Sequence, residues 1–70
     1  MSNAEYQMPL AREAKALGRQ TGLRWTACKA WMQHAGISGI IDLKDRYPGA
    51  EHAECMTKAA EEIETYILTR

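Results

Sequence analysis

The fold of this 70-residue chain is decided by residues 16–33, ALGRQTGLRWTACKAWMQ. Thr21-Gly22 divides this stretch, because a glycine can take the positive φ that closes a helix end. On both sides of the break, apolar residues recur at the three- and four-residue spacing of a helix. The stretch therefore predicts two helices joined by a tight turn.

The first helix is predicted over residues 9–20. Leu10, Ala14 and Leu17 recur at helical spacing. Pro9 suits the first helical position, where an N–H has no helical partner to lose. We therefore treat residues 1–7 as a flexible N-terminus and residues 8–70 as a single helical domain.

The second helix, predicted over residues 23–35, has an apolar side and a polar side on a wheel of about 100° per residue. Its apolar arc consists of Trp25, Cys28, Trp31, Met32 and Ala35. Its opposite side carries Thr26, Lys29, Ala30, Gln33 and His34. Gly36 is predicted to end this helix.

Residues 37–47 allow two interpretations. Ser38 can cap a short helix, whereas Ile40-Ile41 also suits a strand. We expect the short helix. Tyr47-Pro48-Gly49 then breaks the chain, since the residue before a proline avoids the helical region and Pro-Gly favours a turn.

A final helix, expected to be the longest, is predicted over residues 50–68. A three-four repeat places on one of its faces Ala53, Met56, Ala60, Ile63 and Ile67. Because so short a chain builds only a small core, we expect this face to be buried against a second copy in a homodimer. The predicted fold class is all-α, a small bundle of three to four helices.

The charge of the chain is zero overall but unevenly distributed. Through Gly36 there are five basic residues and two acidic ones, a net charge of +3; from Ile37 onward the net charge is −3. A basic first half fits a polyanionic partner such as DNA. A solvated mixed surface is the alternative interpretation.

Residues 16–33 resemble the helix-turn-helix of small DNA-binding regulators. Gly18 is the small residue that lets the second helix cross closely, and Gly22 makes the turn. The core positions of the pattern are Leu23, Cys28 and Trp31. The resemblance covers about a quarter of the chain. It implies a helix-turn-helix-like pair within the bundle and a role in transcription regulation.

The resemblance also implies which side chains contact DNA. Arginine and lysine donate to guanine, glutamine pairs with adenine, and threonine reaches a base edge or a phosphate. The outward candidates are Arg24, Trp25, Thr26, Lys29 and Gln33, and the candidates nearer the phosphates are Arg12, Lys15 and Arg19. Trp25 departs from the pattern, because a bulky aromatic residue equally suits a buried or partner-facing position.

Two other binding modes fit the sequence. In a ribbon-helix-helix protein, residues 4–10 would form the strand, but Pro9 near its end disfavours that assignment. In a protein-interaction module, such as an inhibitor or adaptor, the anchors would be Trp25, Trp31, Met32 and Tyr47. Exposure of Trp25 would favour a contact role for it.

Little in the sequence suggests catalysis or metal binding. Cys28, His34, His52 and Cys55 are zinc-binding residue types, but Cys28 and His34 are six residues apart and would point in different directions. The glycines are scattered, without a phosphate-binding loop. We therefore predict no enzyme activity, no cofactor and no metal.

The sequence also lacks signals for the membrane. No apolar run approaches the roughly 18 residues of a membrane span, and the N-terminus lacks the layout of a signal peptide. We expect a cytoplasmic protein with reduced cysteines.

Overall fold

The computed structural model describes residues 3–69, with side chains described from Pro9 to Thr69. The helices are α1 (Asn3–Thr21), α2 (Trp25–Ala35), α3 (Leu43–Arg46) and α4 (His52–Leu68), and a 3₁₀ turn (Ile40–Asp42) precedes α3. No strand occurs within residues 3–69, so the predicted all-α class is confirmed. None of the helices in this span is long and apolar enough to cross a membrane.

α1 begins six residues before Pro9, so the prediction that Pro9 starts the helix is wrong. A proline inside a helix loses the hydrogen bond that its own N–H would donate, and its ring crowds the carbonyl four residues earlier. Here the helical backbone nevertheless continues on both sides of Pro9. Residues 3–7, which the sequence suggests are a flexible N-terminus, lie in α1, while Met1 and Ser2 lie outside the described residues. With 19 residues, α1 and not α4 is the longest helix.

The turn between α1 and α2 follows the prediction. Gly22 has a φ of 77°, and its N–H donates to the Gly18 carbonyl at 2.8 Å. A Cβ at Gly18 would lie 2.8 Å from the Leu23 carbonyl oxygen and 3.3 Å from the Trp25 Cα. The backbones of α1 and of the turn into α2 therefore touch at a position where only glycine fits without a shift.

One hydrophobic core joins all four helices. α1 contributes Leu10, Ala14 and Leu17; α2 contributes Cys28, Trp31 and Met32; the remaining members are Ile37, Leu43, Cys55, Met56, Ala59 and Ile63. Gly36 ends α2 as predicted, with a φ of 73° and its N–H on the Met32 carbonyl.

The buried face of α4 differs from the predicted one. Cys55, Met56, Ala59 and Ile63 are buried, whereas Ala53 and Ile67 are exposed. On a helical wheel, the buried arc is rotated by roughly 60° from the predicted stripe. The edge left outside is a strip that we call the α4 outer strip, formed by Ala53, Ala60 and Ile67.

Residues 37–47 contain the predicted short helix. Ser38 does not cap it in the expected way, in which the serine hydroxyl oxygen would accept a backbone N–H. Instead, the Ser38 N–H and hydroxyl donate to the Asp42 carboxylate at 3.0 and 2.9 Å. These two bonds lower the pKa of Asp42 below its usual value. Tyr47-Pro48-Gly49 forms the predicted turn, in which Gly49 has a φ of 82° and the Ala50 N–H donates to the Tyr47 carbonyl.

A polar cluster ties α3 to α4. Arg46 donates to both oxygens of Glu62, at 3.0 Å from Nε and 2.5 Å from Nη2, and the Tyr47 hydroxyl donates to the same carboxylate. The hydrogen bonds from Arg46 lower the pKa of Glu62. Burial and the Glu62 hydrogen bond raise the pKa of Tyr47 to about 12.

We predict that Gly18→Ala destabilises the protein. A glycine-to-alanine change inside a helix normally stabilises it by about 1 kcal/mol. At Gly18 the new methyl group meets backbone atoms, so we expect a net loss of about 1–3 kcal/mol in the free energy of unfolding. Urea denaturation followed by circular dichroism measures it, with Arg19→Ala, an exposed neighbour, as the control. An unchanged or raised midpoint for Gly18→Ala would contradict the close crossing.

We further predict that Glu62→Gln lowers stability by about 1 kcal/mol at neutral pH, the upper end for a half-exposed ion pair. Because folding lowers the pKa of Glu62, its contribution is present above the unfolded value of about 4.3 and is lost as pH falls through the folded value. The deficit should therefore shrink below about pH 4. Denaturation at a series of pH values checks this, with Glu61→Gln as the control. A deficit of equal size at low and neutral pH would refute the assignment.

Candidate nucleic-acid interface

The packing of α2 fixes which of its side chains point outward. Cys28, Trp31 and Met32 are buried against the core. Thr26 and Gln33, on the opposite side, are exposed, and Lys29 is half-buried. These three positions form the outward stripe of α2 that the sequence predicts.

The basic residues of α1 share one side of that helix. Arg12, Lys15 and Arg19 are all exposed, and helical geometry places them within about 60° of one another. Together with Arg24 before α2 and Lys29 on it, they form what we call the basic face.

Glu13, the only acidic residue between Pro9 and Gly36, does not lie on the basic face. It is at least about 100° around α1 from Arg12, Lys15 and Arg19. Its Oε1 accepts the Ile40 N–H at 2.9 Å, and the same oxygen lies 2.8 Å from where a Cβ of Gly39 would be. Glu13 thereby caps the 3₁₀ turn, and its carboxylate lies away from the basic face.

A shallow groove of about 520 Å³ lies at the crossing of α1 and α2. It is lined by Lys15, Gly18, Arg19, Gly22, Leu23, Arg24 and Trp25. The structure therefore brings together four of the eight predicted DNA-contacting residues. Arg12 lies one turn earlier on α1, and Thr26, Lys29 and Gln33 continue along α2 beyond the groove.

The helical-wheel pattern puts Trp25 on the apolar arc of α2, but the environment of its side chain is different. Its side chain is not in the core but 37% exposed in the groove. The Lys15 ammonium lies over its ring, 4.9 Å from the ring centroid, in a cation–π contact. No spacing in the sequence could reveal this contact, because the two residues lie on different helices and meet only through the crossing at Gly18.

The acidic residues of the second half remain on the α3–α4 side. Asp45 on α3 is exposed, as are Glu51, which immediately precedes α4, and Glu54, Glu61 and Glu64 within α4. The cations of the basic face thus belong to α1 and α2 and these acidic residues to α3 and α4, although Glu61 and Glu64 share a concavity with Gln20 and Thr21 at the end of α1.

The cysteines and histidines do not converge. Cys28 and Cys55 are free and buried in the core, and burial raises the pKa of the Cys28 thiol, which disfavours the thiolate. The His34 ring contacts Tyr66, and the His52 ring contacts the Gln20 side-chain oxygen. Among the described side chains, no three histidine, cysteine or acidic residues are grouped so that they could hold one metal ion.

Comparisons with protein-family models, curated proteins and solved structures each gave no match. A functional proposal for this chain therefore rests on its own residues and geometry.

The two tryptophans should differ sharply in their access to solvent. Trp31 is 2% exposed and Trp25 is 37% exposed. We predict that acrylamide quenches the fluorescence of Trp31→Phe, which retains Trp25, several times more efficiently than that of Trp25→Phe. Circular dichroism confirms that both variants are folded. Equal quenching constants in folded variants would contradict the different exposure of the two side chains.

Proposed function

We propose that this chain is a small DNA-binding protein in which α2 enters the major groove. The observation that carries the proposal is the basic face, which α1 and α2 build around their crossing at Gly18 with the Glu13 carboxylate turned away. Such a clustering of basic side chains on one side is typical of a nucleic-acid-binding surface.

The dimensions of α2 suit this role. α2 has 11 residues, a length of about 16 Å. A helix is about 10–12 Å across with its side chains, and the major groove of B-form DNA, about 12 Å wide, admits it. Lys29 and Arg24 can donate to guanine, and Gln33 can form a bidentate pair with adenine. Thr26, exposed in the first turn, can bond a base edge or a phosphate.

The cations of α1 support a different contact. Arg12, Lys15 and Arg19 lie on the helix that crosses α2, and so would face the phosphates beside the groove and not the bases. Contacts of this kind supply affinity and fix the register but do not discriminate sequence.

A homodimer would present two copies of α2 to two half-sites about one helical turn apart. Part of the predicted dimer face is buried within one chain, since Met56 and Ile63 lie in its own core. The surface that remains for pairing is the α4 outer strip, whose Ala53 and Ala60 line a concavity of about 560 Å³. Small residues there permit the close approach of another helix.

A second candidate function is a protein-interaction module, such as an inhibitor or adaptor, that binds a larger protein. The exposure of Trp25 favours it, because an aromatic side chain in a groove is a common interface anchor. The surrounding cations would then select an acidic partner. We place it second because the remaining outward positions of α2 carry side chains suited to base edges.

The test is a fluorescence-anisotropy titration of labelled mixed-sequence duplex DNA between about 50 and 200 mM salt. We expect affinity to fall steeply as the salt concentration rises. In a plot of the logarithm of the association constant against the logarithm of the salt concentration, each phosphate contact contributes about −0.9 to the slope. Lys15→Ala and Arg19→Ala should each reduce the slope by about that amount. The matched control is Lys58→Ala, an exposed lysine of α4 outside the basic face. Light scattering on the same samples gives the oligomeric state.

Base-reading residues should behave differently from these cations. The chain should bind a selected sequence more tightly than mixed-sequence DNA. Lys29→Ala and Gln33→Ala are each expected to reduce this difference in binding free energy by about 1–3 kcal/mol. No binding at the lowest salt, or an equal effect of Lys58→Ala and Lys15→Ala, would overturn the DNA proposal and favour the protein-interaction module.

A further inference from the structure

Trp25 lies among the cations of the basic face and remains partly open to solvent. It is 37% exposed among Lys15, Arg19 and Arg24, all of which line the same groove. Trp31, the other tryptophan, is 2% exposed and packs in the core. A large apolar ring left in contact with water between cations points to a ligand that is both anionic and locally apolar.

DNA offers one apolar group on the base edges of the major groove, the 5-methyl group of thymine. We propose that Trp25 packs against such a methyl group and makes the chain select thymine at one position of its site. This inference rests on the proposed entry of α2 into the major groove. It assigns Trp25 to sequence selection and not to general affinity.

The geometry of the groove prepares the ring for that contact. The Lys15 ammonium covers one ring face at 4.9 Å from the centroid, so a base can contact only the rest of the ring. Lys15 and Arg19 lie on α1, where their charges can meet the phosphates flanking the selected base. The proposed thymine contact uses the exposed remainder of the ring.

The position of Trp25 in α2 limits where the thymine lies. Trp25 is the first residue of α2, and Lys29 follows one turn later on nearly the same side. The two residues are about 6 Å apart along the helix axis, against about 3.4 Å between successive base pairs. The thymine should therefore lie within about two base pairs of the base that Lys29 contacts.

Replacement of thymine by uracil isolates the methyl group, because uracil keeps the same pairing and the same hydrogen-bonding edge. A preferred duplex is first selected from randomised sequences with the unaltered chain. Each thymine is then replaced singly by uracil. We expect one position at which uracil weakens binding about fourfold, the factor that corresponds to burial of one methyl group.

Variants then assign the effect to Trp25. In Trp25→Ala, uracil and thymine at that position should bind equally well, whereas Trp25→Leu, which keeps an apolar side chain, should retain part of the difference. The matched control is Ile41→Ala, which removes another exposed apolar side chain, 79% exposed, from the 3₁₀ turn. It should leave the fourfold difference intact. Circular dichroism melts verify that each variant is folded.

The outcomes separate the two proposals. If the chain binds DNA in a salt-sensitive way but replacement of thymine by uracil has no effect that depends on Trp25, the inference about thymine is overturned. The proposal of DNA binding is then unaffected. Absence of salt-sensitive binding by the unaltered chain overturns both.

Discussion

The contact of two backbones at Gly18 is the constraint on which the rest of the structure depends. Because Gly18 carries no side chain, the carbonyl of Leu23 and the start of α2 lie directly against α1. This approach puts Cys28 and Trp31 into a core shared with Leu17. It also sets Trp25 beside Lys15, so the same contact organises the core on one side of α2 and the groove on the other.

The second organising feature is the withdrawal of Glu13 from the basic face. A carboxylate on α1 would ordinarily pair with neighbouring cations, although an exposed ion pair stabilises a protein only modestly. Here it accepts the Ile40 N–H and caps the 3₁₀ turn, which links α1 to a segment 27 residues away. One hydrogen bond thereby stabilises the turn and occupies the Glu13 carboxylate away from the cations of α1.

Local signals predict much of this fold from the sequence, and contacts between distant residues account for most of what they miss. Gly22 and Gly36 mark helix ends correctly, because a positive φ is a property of the residue itself. The all-α class and the core of α1 follow from periodicity. The start of α1 is missed because a proline lowers helix propensity locally while the surrounding helix continues through it.

For α4, alanines on neighbouring arcs make the buried direction ambiguous, and packing against α1–α3 decides it. In the site, the exposed cations could be predicted, but the pairing of Lys15 with Trp25 and the diversion of Glu13 depend on the crossing angle of helices and on a distant turn. The segregation of charge between helix pairs has a further consequence. A folded chain whose formal net charge is zero can therefore still attract a polyanion through the basic residues of α1 and α2.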